Sequence, residues 1–242
     1  MSLGRTQIPF LGVSLSNRAF SFTFARRLAA WLHGSYSQLE VLLGDECEAI
    51  NYQVFRGLDQ NDGRQIARRR ADEIGRMFQR ASRSANFPIF TTAESKYVAI
   101  HKDVFDEALT TLQGAFKKYG VFSRDVHSQV RINLLPREKR LPPGFVSSHL
   151  DDLAMYVVRE LALFYTLRTH KSGPDLIELY PGPQLFVKER LFAGKYSREI
   201  DLAPLGYSPV FVNVAFLVTC EGPGESIAAD DDLYTIDGDA AA

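Results

Sequence analysis

The stretch IPFLGVSLSNRAFSFTFARRLAAWLHGSYSQLEVLL, residues 8–43, decides the fold. Residues 8–14 form an almost unbroken apolar run of the length a buried strand takes. Asn17 and Ser21 then offer turn or capping oxygens before a helix expected over about 23–33. Phe24, Leu28 and Trp31 recur there at helical spacing, which predicts a buried face. LEVLL, residues 39–43, follows at once as a second strand. Strand, helix, strand in so short a span makes a parallel pair with a right-handed crossover.

The alternation continues downstream. Helices are expected over about 64–85 and 104–119, with a short apolar stretch at 87–90 between them. A Pro/Gly-rich hinge at 141–144 precedes a helix over about 148–168, and Pro181 and Pro183 end a strand over 175–180. Residues 210–219 read as a last strand. This order predicts an α/β protein with a doubly wound, Rossmann-like parallel sheet. At 242 residues and 45% hydrophobic content the chain can bury one sizeable core. We expect a single domain over 1–220 and a solvated tail over 221–242, where seven Asp and Glu residues stand with no Lys or Arg. The sequence has no apolar run of the roughly 20 residues a membrane span needs, and no long apolar run at its N-terminus. A cytoplasmic location with no membrane partner is the expectation. Cys47 and Cys220 sit in no CxxC or Cys/His pattern, which argues for reduced thiols and no metal.

The formal net charge of −1 hides a local excess of arginine. Arg64, Arg68, Arg69, Arg70, Arg76, Arg80 and Arg83 face only Asp72 and Glu73 within the same segment. Successive helical residues lie about 100° apart, which gathers Arg69, Arg76, Arg80 and Arg83 into one stripe. Ile66, Ile74, Met77, Phe78 and Ala81 fall on a different side. Guanidinium forks bind phosphate oxygens bidentately, so the stripe suits a nucleic-acid backbone. A solvated face with intrahelical ion pairs is the plainer alternative.

Ser14 stands where the first strand ends, and an open parallel sheet binds its ligands beyond that end. Alternation places Phe10, Gly12 and Ser14 on one face, with room beside Gly12. A serine that merely caps a turn would look the same in sequence. The run is neither GxGxxG nor GxSxG, and no Walker loop or HxGH motif is present to grip a nucleotide. Further on, Tyr156 and Glu160 lie four apart on a largely apolar helix and share a face. Phenol and carboxylate together could grip an ammonium group. Equally, Tyr156 could edge the core while Glu160 pairs with Arg159 or Arg168. Glu178 shares a strand face with Tyr180, and a buried carboxylate there needs a partner. That partner is either a polar or basic substrate side chain, histidine being one option, or an internal Lys or Arg.

Taken together, the pattern resembles the cyclodipeptide synthases, which make diketopiperazines from two aminoacyl-tRNAs. Gly12-Val13-Ser14 with Asn17 resembles the family's nucleophile segment. Tyr156-x-x-x-Glu160 resembles its substrate-amine site, and Leu179-Tyr180-Pro181 its second tyrosine. The basic helix falls where the family carries its tRNA-binding helix. The likeness spans residues 10–181, most of the chain. Of the family's two subgroups, Tyr180-Pro181 matches one and Asn17 the other.

The resemblance implies a fold like the catalytic domain of class I aminoacyl-tRNA synthetases of the tyrosine and tryptophan type. It implies Ser14, Tyr156, Glu160 and Tyr180 as catalytic residues, in a pocket with Phe10, Gly12, Asn17, Leu163, Glu178 and Pro181. Arg64, Arg68, Arg69, Arg76, Arg80 and Arg83 would hold tRNA. Ser14 would accept an aminoacyl group, Tyr156 and Glu160 would hold its amine, and Tyr180 would assist proton transfer during ring closure. A monomer without cofactor is implied, because the tRNA esters themselves drive amide formation. The rival readings are an RNA-binding module with an idle Ser14, and a Rossmann-type transferase using S-adenosylmethionine. The second would want a glycine-rich loop after the first strand, where only Gly12 stands.

Overall fold

A strand buried on both faces of a parallel sheet reads as a near-continuous apolar run, and Ile8–Val13 is the central strand, β1. The computed structural model describes residues 8–134, 140–170, 176–182, 184–202 and 210–218. Within them β2 (Leu39–Leu43), β3 (Ile89–Ala93), β4 (Leu176–Tyr180) and β5 (Val210–Asn213) join β1 in a sheet of order β3-β2-β1-β4-β5. Every pairing is parallel. Phe10 pairs with Glu40 on one side and Glu178 on the other, so the strand order reverses across β1. This is the expected doubly wound arrangement.

Side chains alternate across the sheet, and both faces are covered. Leu11 and Val13 enter a core with α1 (Phe22–His33) and α3 (Gln60–Ala85). Phe10 and Leu42 enter a second core with α5 (Lys102–Phe116), α6 (Val121–Leu134) and α8 (Leu150–His170). On α1, Ser21 Oγ caps the helix by accepting from the Phe24 amide at 3.1 Å. Phe24, Ala25, Leu28, Ala29 and Leu32 are buried, whereas Trp31 is 43% exposed. The buried stripe runs through Leu28 and Leu32, and Trp31 sits about 100° round from Leu32. Its ring meets Phe216 edge-on at 5.8 Å, at the surface rather than in the core.

Several elements exceed what the sequence announced. Strand β2 passes through Gly44 straight into α2 (Asp45–Arg56), whose first turn holds Asp45, Glu46 and Glu48, as a helix N-terminus favours. Helix α3 begins at Gln60, before the expected start, because Asp59 Oδ1 accepts from the Asn61 and Asp62 amides at 2.8 and 2.9 Å. A Cβ at Gly63 would lie 3.1 Å from the Ala49 carbonyl oxygen, so this glycine lets α2 and α3 close on each other. Helices α4 (Glu94–Ile100), α7 (Phe145–Ser148) and α9 (Phe186–Phe192) were likewise unforeseen, and α6 follows α5 after a turn at Tyr119. β5 stops at Asn213, whose Oδ1 accepts from the Ala215 amide at 2.9 Å and turns the chain into a 3-10 helix. The last strand is therefore shorter than the expected 210–219. Cys220 and the acidic stretch 221–242 lie outside the described residues. No helix among the described residues is long and apolar enough to cross a membrane.

Leu28 is fully enclosed and Trp31 is not. Leu28→Ala should therefore cost about 2–5 kcal/mol in denaturant unfolding, and Trp31→Ala about 1 kcal/mol or less.

Candidate active site

Reversal of strand order opens a crevice beyond the carboxyl ends of β1 and β4. A cavity of about 440 Å³ occupies it. Ser14, one residue past β1, lines this cavity, as do Tyr156 and Glu160 from α8 and Tyr180 from the end of β4. All four residues singled out as catalytic thus meet in one place. Asn17, Glu178 and Pro181 line it too. Phe10, Gly12 and Leu163 do not. Phe10 and Leu163 are buried in the second core at 3% and 5% exposure. The space beside Gly12 is bounded by Phe164, whose Cζ would make an ordinary van der Waals contact of 3.9 Å with a Cβ there. On α8 it is the row Tyr156, Glu160, Phe164 that faces the cavity, and Leu163 points off that row into packed hydrocarbon.

The serine end of the site is a closed turn. The Asn17 amide donates to the Ser14 carbonyl at 3.1 Å, and Asn17 Oδ1 accepts from the Ala19 amide at 3.0 Å. Asn17 Nδ2 then donates to Tyr180 Oη at 3.3 Å, which ties the β1 turn to the end of β4. Tyr180 also makes an edge contact with Phe20, and the missing Cβ at Gly182 leaves room for its ring, which such an atom would approach to 3.1 Å. No histidine lines the cavity among the described residues.

Opposite the serine the environment is electrostatically tense. Burial, reinforced by Glu178 and Glu94 and opposed by Lys188, raises the Glu160 carboxyl from its ordinary value to about 7. Burial also lifts the Tyr156 phenol well above its usual range, with the negative charge of Glu160 adding to the effect. Tyr156 therefore remains a neutral hydrogen-bond donor. Arg159 does not neutralise Glu160. Its Nε donates instead to Glu94 Oε1 at 2.6 Å, inside a buried knot in which Glu94 Oε2 also accepts from the Cys47 amide at 2.9 Å. Glu160 makes no salt bridge among the described residues.

The sheet order and this cavity give the architecture something to be compared with. No protein-family model matches the sequence, and no curated protein matches it. Solved structures do. A cyclodipeptide synthase from Fluoribacter dumoffii superposes with a TM-score of 0.65 at 14% identity, covering 82% of this chain and 88% of that one. One from Bacillus thermoamylovorans gives 0.63 at 18% identity, covering 81% and 83%. The chain has the fold of the cyclodipeptide synthases. A Mycobacterium tuberculosis protein, whose structure is described as demonstrating that cyclodipeptide synthetases are related to type I tRNA synthetases, gives 0.60 at 17% identity, covering 85% and 83%. The synthetase-like architecture expected from sequence is therefore the one observed.

Charged groups find partners far away in the chain. Arg64 and Arg68 meet an acid from outside their own segment. Glu46, on the unforeseen α2, takes Arg64 Nε at 3.0 Å and Arg68 Nη2 at 3.2 Å. Arg69, Arg76, Arg80 and Arg83 remain exposed, with the Arg80 guanidinium 5.2 Å from the Phe22 ring centre. Glu178 takes the internal one of its two possible partners. Lys188 on α9 bonds its Oε1, and the pair is buried with side-chain exposures of 7% and 2%. Lys188 also sits 4.0 Å from the Phe164 ring centre. Sequence reading missed Lys188. Its only signal was a lysine among apolar residues in FVKERLF, a pattern a surface helix shares.

Removing one partner of a buried pair leaves the other charge stranded. Lys188→Met should destabilise the fold by about 3–5 kcal/mol in denaturant melts. The double variant Glu178→Leu/Lys188→Met should recover most of that loss.

Proposed function

We propose that this protein is a cyclodipeptide synthase that joins two amino acids taken from aminoacyl-tRNAs and releases a cyclic dipeptide. The observation that carries the reading is the convergence of Ser14 with Tyr156, Glu160 and Tyr180 on one cavity at the switch point of the sheet. The fold shared with solved cyclodipeptide synthases supports it.

In this reading Ser14 Oγ attacks the ester carbonyl of the first aminoacyl-tRNA. The tRNA ribose oxygen leaves with the proton, and an aminoacyl-serine ester remains. Ester replaces ester, so the step is near balance. Glu160 as carboxylate and Tyr156 as neutral phenol hold the tethered α-amine. The Glu160 carboxylate takes the ammonium's proton, and the neutral amine attacks the ester of the second aminoacyl-tRNA, forming the first amide while the second tRNA leaves with a further proton from that amine. The new terminal amine then attacks the serine ester, which closes the six-membered ring and returns the proton to Ser14 Oγ. Tyr180, fixed by Asn17, stands where a phenol can relay a proton during closure. Two esters become two amides, and the reaction runs downhill without a nucleotide. Arg69, Arg76, Arg80 and Arg83 would hold the tRNA backbone, and the enzyme would work in the cytoplasm, where charged tRNA is found.

Ser14→Ala should abolish both the cyclic dipeptide and the covalent aminoacyl-protein seen by intact mass. Wild-type turnover in that variant would overturn the assignment. Glu160 holds an ammonium group only when ionised, and its carboxyl titrates at about 7. The kcat/KM for aminoacyl-tRNA should therefore climb as pH is raised through neutrality. Glu160→Gln should remove that climb and lower kcat/KM by about 10- to 100-fold.

A further inference from the structure

The Glu178–Lys188 pair is placed where packing alone does not require it. β4 is a short strand beside the central one, and Ile177 and Leu179, which flank Glu178, are apolar and buried. A leucine at 178 would complete that pattern. Instead a carboxylate stands two residues before Tyr180, on the same strand face and lining the same cavity.

Its two oxygens differ. Oε1 accepts from Lys188 Nζ, while Oε2 accepts no hydrogen bond among the described residues. Lys188 is boxed in by the Phe164 ring at 4.0 Å and the Phe211 ring at 5.8 Å, both of which line the cavity. The wall therefore offers one carboxylate oxygen, with its charge already balanced by a lysine that is itself held near two aromatic rings. A hydrocarbon side chain against that oxygen would strip its remaining water and return nothing. A cationic side chain would compete with Lys188 for the carboxylate. A neutral group with an N–H or O–H to donate satisfies the oxygen and leaves the pair intact.

On the reading of the site as a cyclodipeptide synthase, we infer that Glu178 selects an aminoacyl substrate whose side chain carries a neutral hydrogen-bond donor, such as an imidazole, amide, phenol or indole. Lys188 holds Glu178 in place and sets its charge. Glu178 is then a specificity residue, distinct from Glu160, whose partner is the α-amine.

The test is product chemistry. The wild-type protein is expressed in bacteria and its cyclic dipeptides are sorted by mass spectrometry. At least one residue of the major product should bear such a donor. Glu178→Leu/Lys188→Met, which removes both charges together, should shift the ratio of hydrocarbon to donor-bearing products at least about 10-fold toward hydrocarbon. Lost stability alone lowers all products without changing their ratio. Wild-type products built only from aliphatic or phenyl side chains would overturn the inference while leaving the proposed activity standing, whether or not the double variant folds. So would an unchanged ratio in the double variant. Absence of any cyclic dipeptide and of any aminoacyl adduct on Ser14 would sink the activity, and this inference with it.

Discussion

A parallel sheet must be covered on both faces, because its strands return by crossovers that lie against it. From this one requirement the rest of the molecule follows. Alternate residues of β1 enter different cores, Leu11 and Val13 on one side and Phe10 on the other. Helices that serve β2 and β3 go to one face, and the long excursion before β4 supplies the other. Where the two directions part, a cavity lies beyond the strand ends. The crevice is a by-product of winding, and Ser14 and Tyr180 occupy it because they are the residues at which β1 and β4 run out.

What could be read from the sequence was whatever obeys a local rule. β2 was located residue for residue, since LEVLL is bounded by turn residues and is too short for a helix. The core face of α3 followed from its period, with Ile74, Met77, Phe78 and Ala81 all buried. Helix α2 escaped because its polar and apolar residues, DECEAINYQVFR, hug the end of a strand without a loop to announce a new element. Trp31 was misplaced because its spacing fits the stripe while its angle puts it at the margin. Among site residues, Ser14, Asn17, Tyr156, Glu160, Glu178, Tyr180 and Pro181 reach the cavity. Phe10, Gly12 and Leu163 do not, since facing the right side of a strand or helix says nothing about how far the neighbouring element has closed over it.

Charge was legible in amount but not in pairing. Asp72 and Glu73 were the acids nearest in sequence to the arginine helix, yet Glu46, much earlier in the chain, is the one that bridges Arg64 and Arg68. Lys188 meets Glu178, and Arg159 meets Glu94, across similar gaps. Ion pairs formed between elements leave no periodic trace, and they decide which carboxylates remain to do chemistry. Of the two acids that line the cavity, Glu178 is paired and Glu160 makes no salt bridge among the described residues, and burial raises its titration.

The division of α3 into a bridged end and an open end carries its own corollary. From Arg69 to Arg83 the helix climbs about 21 Å, and this is the stretch that Glu46 does not engage. A polyanion lying there would be gripped through a handful of sugar-phosphate linkages and would have no base read. On the proposed function, such a cradle would orient a tRNA and be blind to the anticodon's message. Fidelity would then be exercised at the far end of that cargo, in the few ångströms around the acyl group.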